Sequence, residues 1–592
     1  MKREQVKERY KWKIEDIFSS DEEWEKCFEN AENSLDLAKY AGKLSSKTTL
    51  LKFLKENDEY GKTLERLAVY AHMRNDEDRG VSKYNSYKSK VGALWSKYAT
   101  ELSFYEPEMA KFDDDYLNSL IFDKDFSDYD YDIKRIIKGK PHVISEAEER
   151  LMGMAGEIFD SFYESFGMID NLDLPLPDIE WEGKMTKLTH GLYGIILHSD
   201  NREKRKEAYE KYYAAYTGLI NTITSIYHGN VRKDVYCSKV YKFSSCLEQA
   251  LFAEDVDISV YNNLIKAVDN SLPTMHRYVE DRKKILGLEK HYFYDIYAPL
   301  VDGVNVKYTY DEAYELVING LAPLGKEYQA LLKRGYDERW IDVEETDGKS
   351  GGAYSIGCPG THPFVLLNYQ PTLHEAFTIA HEMGHSLHTY FSQKNQPFAK
   401  SQYKIFVAEV ASTVNEVLLL KHMLKEAKDA NLKKYLLNYY LETIRATLHR
   451  QTMFAEFESR AHEMEEKGDP LTTENLCELY DGIGKKYYGN GIEYDYNISC
   501  EWARIPHFYR AFYVYKYATG ITAAINIAKR ILTEGESAVK DYFEFLSGGC
   551  STDPVSLLKL AGVDLSKPQP FEVAMREFDE TLTEFEKLMN IR

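Results

Sequence analysis

His381, Glu382 and His385 stand in the order His-Glu-x-x-His, in a chain with only 16 histidines. Residues four apart lie on one helix face, one turn from each other. Two imidazoles so placed can turn to a single ion. Two histidines, a third protein ligand and one open position make a catalytic zinc site. The glutamate beside the first histidine can reach a water on that ion and take its proton. The bland alternative is a solvated helix face that happens to carry His and Glu.

The third ligand must come from further along the chain. The longer pattern His-Glu-x-x-His-x-x-Gly-x-x-His would need Gly at 388 and His at 391. The chain has His388 and Phe391 instead, which excludes that class. His388 shares the face of His381, but one straight helix does not easily converge three successive imidazoles on one ion. It reads instead as a residue behind the ligands, facing substrate or packed. Glu409 follows His385 after twenty-three intervening residues, enough for a helix end, a loop and a return on an antiparallel neighbour. Glu409, Ser412 and Glu416 share a face of that second helix. Glu409 therefore completes a site for one Zn2+ per chain with His381 and His385. Glu416 is placed to orient a ligand histidine by accepting its other ring N–H.

These residues need elements to hold them. The first helix is predicted over Leu373–Tyr390, opened by a Thr372/Glu375 capping box after Pro371. Gly384 lies inside it and is a poor helix former. A close neighbour, either another backbone or bound substrate, would account for it. Apolar residues at helical spacing also predict helices over Asp21–Tyr40, Thr48–Met73, Glu146–Phe166, Arg202–Tyr216, Val256–Leu286, Asp311–Arg334 and Ala411–Ala427. Asp200 is the expected cap of the fourth of these, with Glu203 reciprocal.

Two stretches break the pattern. Leu172–Leu188, with Pro175, Pro177 and Gly183, marks a boundary or a small β insertion. An approximate division follows, with residues 1–190 an N-terminal helical region and residues 191–592 a catalytic domain. Trp340–Tyr369 is rich in glycine and ends in the strand-like Phe364–Asn368. It reads either as a small sheet whose edge could pair with an extended peptide or as a surface loop.

Composition narrows the classes. A net charge of −21 and the absence of a basic, aromatic-lined stripe speak against nucleic acid or an anionic membrane as partner. The charged N-terminus has no signal-like apolar core, and no apolar run has spanning length. The seven cysteines are scattered and odd in number, which suits reduced thiols in a cytoplasm.

His381-Glu-Met-Gly-His-Ser-Leu-His388 with Phe406-Val-Ala-Glu-Val-Ala-Ser-Thr-Val-Asn-Glu416 resembles the thimet-oligopeptidase family, and within it the bacterial oligoendopeptidase F branch. Trp12–Phe18, Ser20–Trp24, Arg504–Tyr509 and Phe512–Gly520 resemble that branch too, so the likeness covers nearly the whole chain. It implies a mainly α, clam-like metallopeptidase shell around a deep channel, with a small β-sheet beside the zinc-binding helix. It also implies cleavage of short unstructured peptides. In the family, a histidine followed by tyrosines donates to the oxyanion of the tetrahedral intermediate. His507 and Tyr515 match those positions best, and Tyr509 is the choice for the intervening tyrosine, where the spacing is shorter. Read without the family, His507–Tyr517 is equally an aromatic helix core.

The sequence thus reads as a zinc endopeptidase of oligopeptides, with Glu382 as general base. An exopeptidase on the same scaffold, dipeptidyl-carboxypeptidase or carboxypeptidase, would need a cation for the substrate's free carboxylate, such as Arg504 or Arg510. A non-catalytic peptide-binding zinc protein would have no use for Glu382. Oligomeric state is not legible.

Overall fold

The computed structural model describes residues 1–301 and 306–591. The fold is mainly α, with one two-stranded and one three-stranded sheet among the described residues. The chain divides into two compact units, each assembled from three separate segments. No helix among the described residues is long and apolar enough to cross a membrane.

The first unit comprises Met1–Val143, Asn305–His422 and Ile527–Val563. Its N-terminal part packs the helices Asp21–Ser34, Lys47–Glu77 and Ser82–Leu102. Ser20 and Ser46 cap the first two, each accepting the backbone N–H three residues on. Trp24 is fully buried and stacks on Tyr87 at 3.8 Å, among Leu50, Leu64, Leu67 and Met73. The predicted Asp21–Tyr40 helix stops at Ser34, and a separate short turn covers Ala38–Tyr40.

Trp340–Tyr369 holds three strands, as one of its two readings required. Strand β3 (Ile341–Asp342) runs parallel to β5 (Phe364–Leu366), and β4 (Tyr354–Ile356) runs antiparallel to it. The order β3-β5-β4 buries β5 in the middle and leaves β4 at an edge. The chain's first residues brace this sheet. Arg3 pairs with Asp342 and Glu77, at 2.7 Å each, and Trp12 packs on Tyr354 and Phe364. Buried Lys349 also pairs with Asp342 and donates to the carbonyls of Glu344 and Leu367. The glycine-rich loop is thereby fixed under the strands.

The second unit comprises Ile144–Val304, Met423–Asn526 and Asp564–Arg592. The break at Leu172–Leu188 is a hairpin, β1 (Asp178–Trp181) against β2 (Lys184–Lys187). Glu182 and Gly183 turn it with positive φ. The helix Arg202–Gly218 buries Tyr209, Tyr212, Tyr213 and Tyr216. Its cap is Asn201, which accepts from Lys204 N–H, rather than Asp200. Asp311–Arg334, in the first unit, is likewise two helices, Tyr310–Gly320 and Gly325–Asp337. Gly325, which opens the second, has φ +86, a conformation that breaks an α-helix.

Candidate metal centre

Every residue of the proposed zinc site lies in the first unit. The motif helix spans Leu373–Asn395, and Thr372 caps it by accepting Glu375 N–H. A second helix, Ile405–Glu426, carries Glu409 and Glu416. The two helices touch backbone to backbone. A Cβ added at Gly384 would lie 2.5 Å from Ser412 Cα and 2.8 Å from the Ala411 carbonyl oxygen. That glycine is required by helix contact, the first of the two causes expected. Asn415 locks the pair, donating to the Ala380 carbonyl at 2.9 Å and accepting from Tyr328 Oη at 2.9 Å. Ser386 is bonded to Ser355 of β4 at 2.8 Å, which ties the sheet edge to the same helix.

This contact brings three ligand atoms together. His381 Nε2 and His385 Nε2 are 3.1 Å apart, and each is 3.4 Å from Glu409 Oε2. A tetrahedral zinc with arms of about 2.0–2.1 Å has ligand–ligand edges of about 3.3–3.4 Å. The triangle therefore has the size the ion needs, and it is the one such cluster among the described residues. Glu416 Oε1 accepts from His381 Nδ1 at 2.5 Å. That bond commits Nε2 to the triangle. Ser412 Oγ donates to Glu409 Oε2 at 3.3 Å and steadies the carboxylate.

The electrostatics agree with a cation site. Burial alone would lower the His381 pKa, but Glu409 and Glu416 outweigh it and hold the ring up at about 10. Burial would raise Glu409, yet His381 and His385 hold it well below the usual carboxylate range. Glu382 is buried, Oε2 has no hydrogen-bond partner among the described residues, and burial raises its pKa. A desolvated carboxylate with an unpaired oxygen accepts a proton more readily than an exposed one.

His388 is fully buried and stacks on Tyr403 at 3.8 Å, with Phe545 at 5.2 Å. Burial lowers it to about 3, so the ring is neutral. It is packed, one of the roles the sequence left open for it.

The aromatic segment belongs to the second unit and is not one helix. Pro506–Tyr509 is a 3-10 turn, Phe512 has φ +55, and an α-helix starts only at Tyr515. Tyr509 is buried and stacked on Phe166 at 4.3 Å. Tyr515 is buried against Tyr261. The half-buried tyrosines beside His507 are Tyr513 and Tyr517, with ring centroids 6.0 and 5.9 Å from the imidazole. Tyr517 Oη lies 3.4 Å from His507 Nε2. The family likeness matched Tyr515 and, for the intervening position, Tyr509; the structure sets Tyr513 and Tyr517 beside the imidazole. Arg504 is committed to Glu501 at 2.6 Å and Tyr213 at 3.2 Å.

The chain is similar to known proteins over nearly its whole length. The profile of peptidase family M3 matches residues 195–577, and that of oligopeptidase F matches residues 108–175. Oligopeptidase PepF of Bacillus subtilis is 43% identical over 99% of this chain and 88% of its own. Group B oligopeptidase PepB of Streptococcus agalactiae is 39% identical over 99% of this chain and 98% of its own. Among solved structures, a putative peptidase from Chlamydophila abortus superposes with TM-score 0.92 at 33% identity, covering 99% of each chain. Oligoendopeptidase-F from Enterococcus faecium superposes with TM-score 0.75 at 33% identity, covering 98% of this chain and 100% of that one.

Proposed function

From the premise that this chain belongs to peptidase family M3, in its oligopeptidase F branch, we propose that it is a zinc endopeptidase cutting internal bonds of short, unstructured peptides. The observation that carries the metal assignment is the triangle of His381, His385 and Glu409, with edges of 3.1–3.4 Å. Zinc held there would polarise the scissile carbonyl and acidify a water. Glu382 takes the proton of the attacking water and delivers it to the leaving amine. Its burial and unpaired Oε2 suit that work. Glu416 keeps His381 turned to the ion.

The oxyanion donors remain part of the proposal. The family pattern assigns them to His507, Tyr515 and Tyr509. The clustering of Tyr513 and Tyr517 on His507 adds those two phenols as candidates, since a half-buried hydroxyl can meet a substrate.

The endopeptidase reading is favoured over an exopeptidase because Arg504, one of two candidate carboxylate anchors, is spent on Glu501 and Tyr213. The preference for short peptides rests on the likeness to oligopeptidases. The test is digestion of a flexible peptide blocked at both ends, beside a native folded protein, with products read by mass before and after chelation and zinc return. Internal cleavage of the blocked peptide, abolished by chelation, is the expected result. Cleavage confined to free-ended peptides would make it an exopeptidase. Efficient cutting of the folded protein would end the restriction to oligopeptides.

A further inference from the structure

Of the seven cysteines, Cys477 and Cys500 are the one pair whose sulfurs meet among the described residues, with Sγ atoms 3.5 Å apart. Both belong to the second unit. Cys477 lies on the helix Thr473–Tyr488, and Cys500 closes the short helix Tyr496–Ser499. Cys477 is 7% exposed and Cys500 is 1% exposed. The contact is held in register from both sides. Ser499 Oγ donates to Asp481 Oδ1 at 3.3 Å, and Tyr480 Oη donates to Glu501 Oε2 at 2.5 Å. Residues 499, 500 and 501 thus meet 481, 477 and 480 in turn, three positions of one helix face. Glu501 is fixed in its own right by Arg450 at 2.7 Å and Arg504 at 2.6 Å.

We propose that Cys477 and Cys500 are an oxidisable dithiol, which hydrogen peroxide converts to a disulfide stapling the helix Thr473–Tyr488 to the start of the turn Glu501–Arg504. A disulfide holds its sulfurs at about 2.0 Å. From 3.5 Å they close by about 1.5 Å, which side-chain rotation can supply while the flanking hydrogen bonds keep the backbones in place. Thiols held as neighbours react at an effective concentration that free solutes do not reach. Buried cysteines are ordinarily inert packing; the partner sulfur sets this pair apart. Where thiols are kept reduced, such a disulfide is transient and senses oxidant.

The pair has an order of attack. The Cys500 S–H donates to the Cys477 sulfur, which lowers the Cys477 pKa against the pull of burial; the same bond, and then burial, raise Cys500. The Cys477 thiolate attacks one peroxide oxygen and the O–O bond breaks. Its sulfur becomes a sulfenic acid, and the other oxygen leaves as hydroxide and takes up a proton. The Cys500 sulfur then attacks the Cys477 sulfur. The S–S bond forms, the S–O bond breaks, and the departing hydroxide takes the Cys500 proton. The two thiols give up two electrons and two protons, and the peroxide is reduced to two waters. Only a small oxidant fits, because both sulfurs are nearly covered.

The experiment treats the zinc-loaded full chain, Cys477→Ser and Cys500→Ser with hydrogen peroxide. Free thiols are alkylated after unfolding, peptides are mapped by mass, and melting is followed. Wild type should yield a peptide joining Cys477 to Cys500, lost on reduction with dithiothreitol. Its melting midpoint should stand about 5 °C above that of the reduced chain, with no such rise in either serine variant. Dimedone should label Cys477 in Cys500→Ser and leave Cys500 unlabelled in Cys477→Ser. Wild-type thiols that both remain free overturn the proposal, and so does pairing of either with another cysteine. A cross-link that leaves the midpoint unmoved overturns the staple. Dimedone on Cys500 rather than on Cys477 overturns the order of attack. The wild-type cross-link is read without any variant, so misfolding of a serine chain does not remove the test.

Discussion

Gly384 and Ser412 are in backbone contact across two helices: a single added carbon on the glycine would stand 2.5 Å from Ser412 Cα. Because His381 and His385 are on one helix and Glu409 on the other, this contact sets the size of the ligand triangle.

Gly384→Ala should therefore push the helices apart. Overpacking of this kind costs about 1–3 kcal/mol, and zinc affinity should fall with it. Gly482→Ala is the control, because a Cβ there meets nothing within 4 Å. It should be neutral or gain about 0.5–1 kcal/mol from helix propensity. Melting temperature and a zinc competition titration check both.

Glu382→Gln should retain stoichiometric zinc and lose about 10²–10⁴ in kcat, since it removes the base and no ligand. Metal analysis of the purified variant beside its turnover number decides it. Near-wild-type turnover would remove Glu382 from the mechanism.

Glu409→Ala should lose its metal on dialysis, leaving two ligands where three are needed. His388→Ala should keep it and lose stability instead, since His388 is stacked on Tyr403. Glu416→Gln should weaken zinc about 10–100-fold while leaving the triangle complete. The reverse order for Glu409 and His388 would mean the third ligand is misassigned.

Acid stability has a named contributor in the second unit. Burial would raise Glu442, but Arg445 and Arg282 hold it down at about 2, from an ordinary 4.5. Its stabilisation is full above about pH 4.5 and is lost as pH falls towards about 2, because the unfolded chain takes up the proton first. Glu442→Gln should cost about 3–5 kcal/mol at pH 7, by leaving buried arginines uncompensated. The gap to wild type should narrow as pH drops. Denaturant midpoints at pH 7 and about pH 3 measure this.

Much of the metal centre was legible because its parts are local. His381 and His385 are one helical turn apart, so chain geometry alone aligns them. Glu409 and Glu416 are two turns apart, and one face serves both. The small sheet was one of two readings of a glycine-rich stretch that ends in the apolar run Phe364–Leu367. Which tyrosines stand beside His507 was not legible, because residues 507–517 do not form one continuous helix. The turn at Phe512 breaks it, so Tyr509 and Tyr515 go into the core while Tyr513 and Tyr517 join His507.

The sequence by itself determined the helical class, the ligand types and the family, since these depend on residue identity and short-range period. Tertiary structure alone decided how close the two ligand helices come and which phenols stand beside His507. It also decided how segments far apart in the chain gather into two compact units. Those outcomes depend on long-range packing, where a glycine against a facing backbone or one left-handed residue in a turn redirects every side chain that follows.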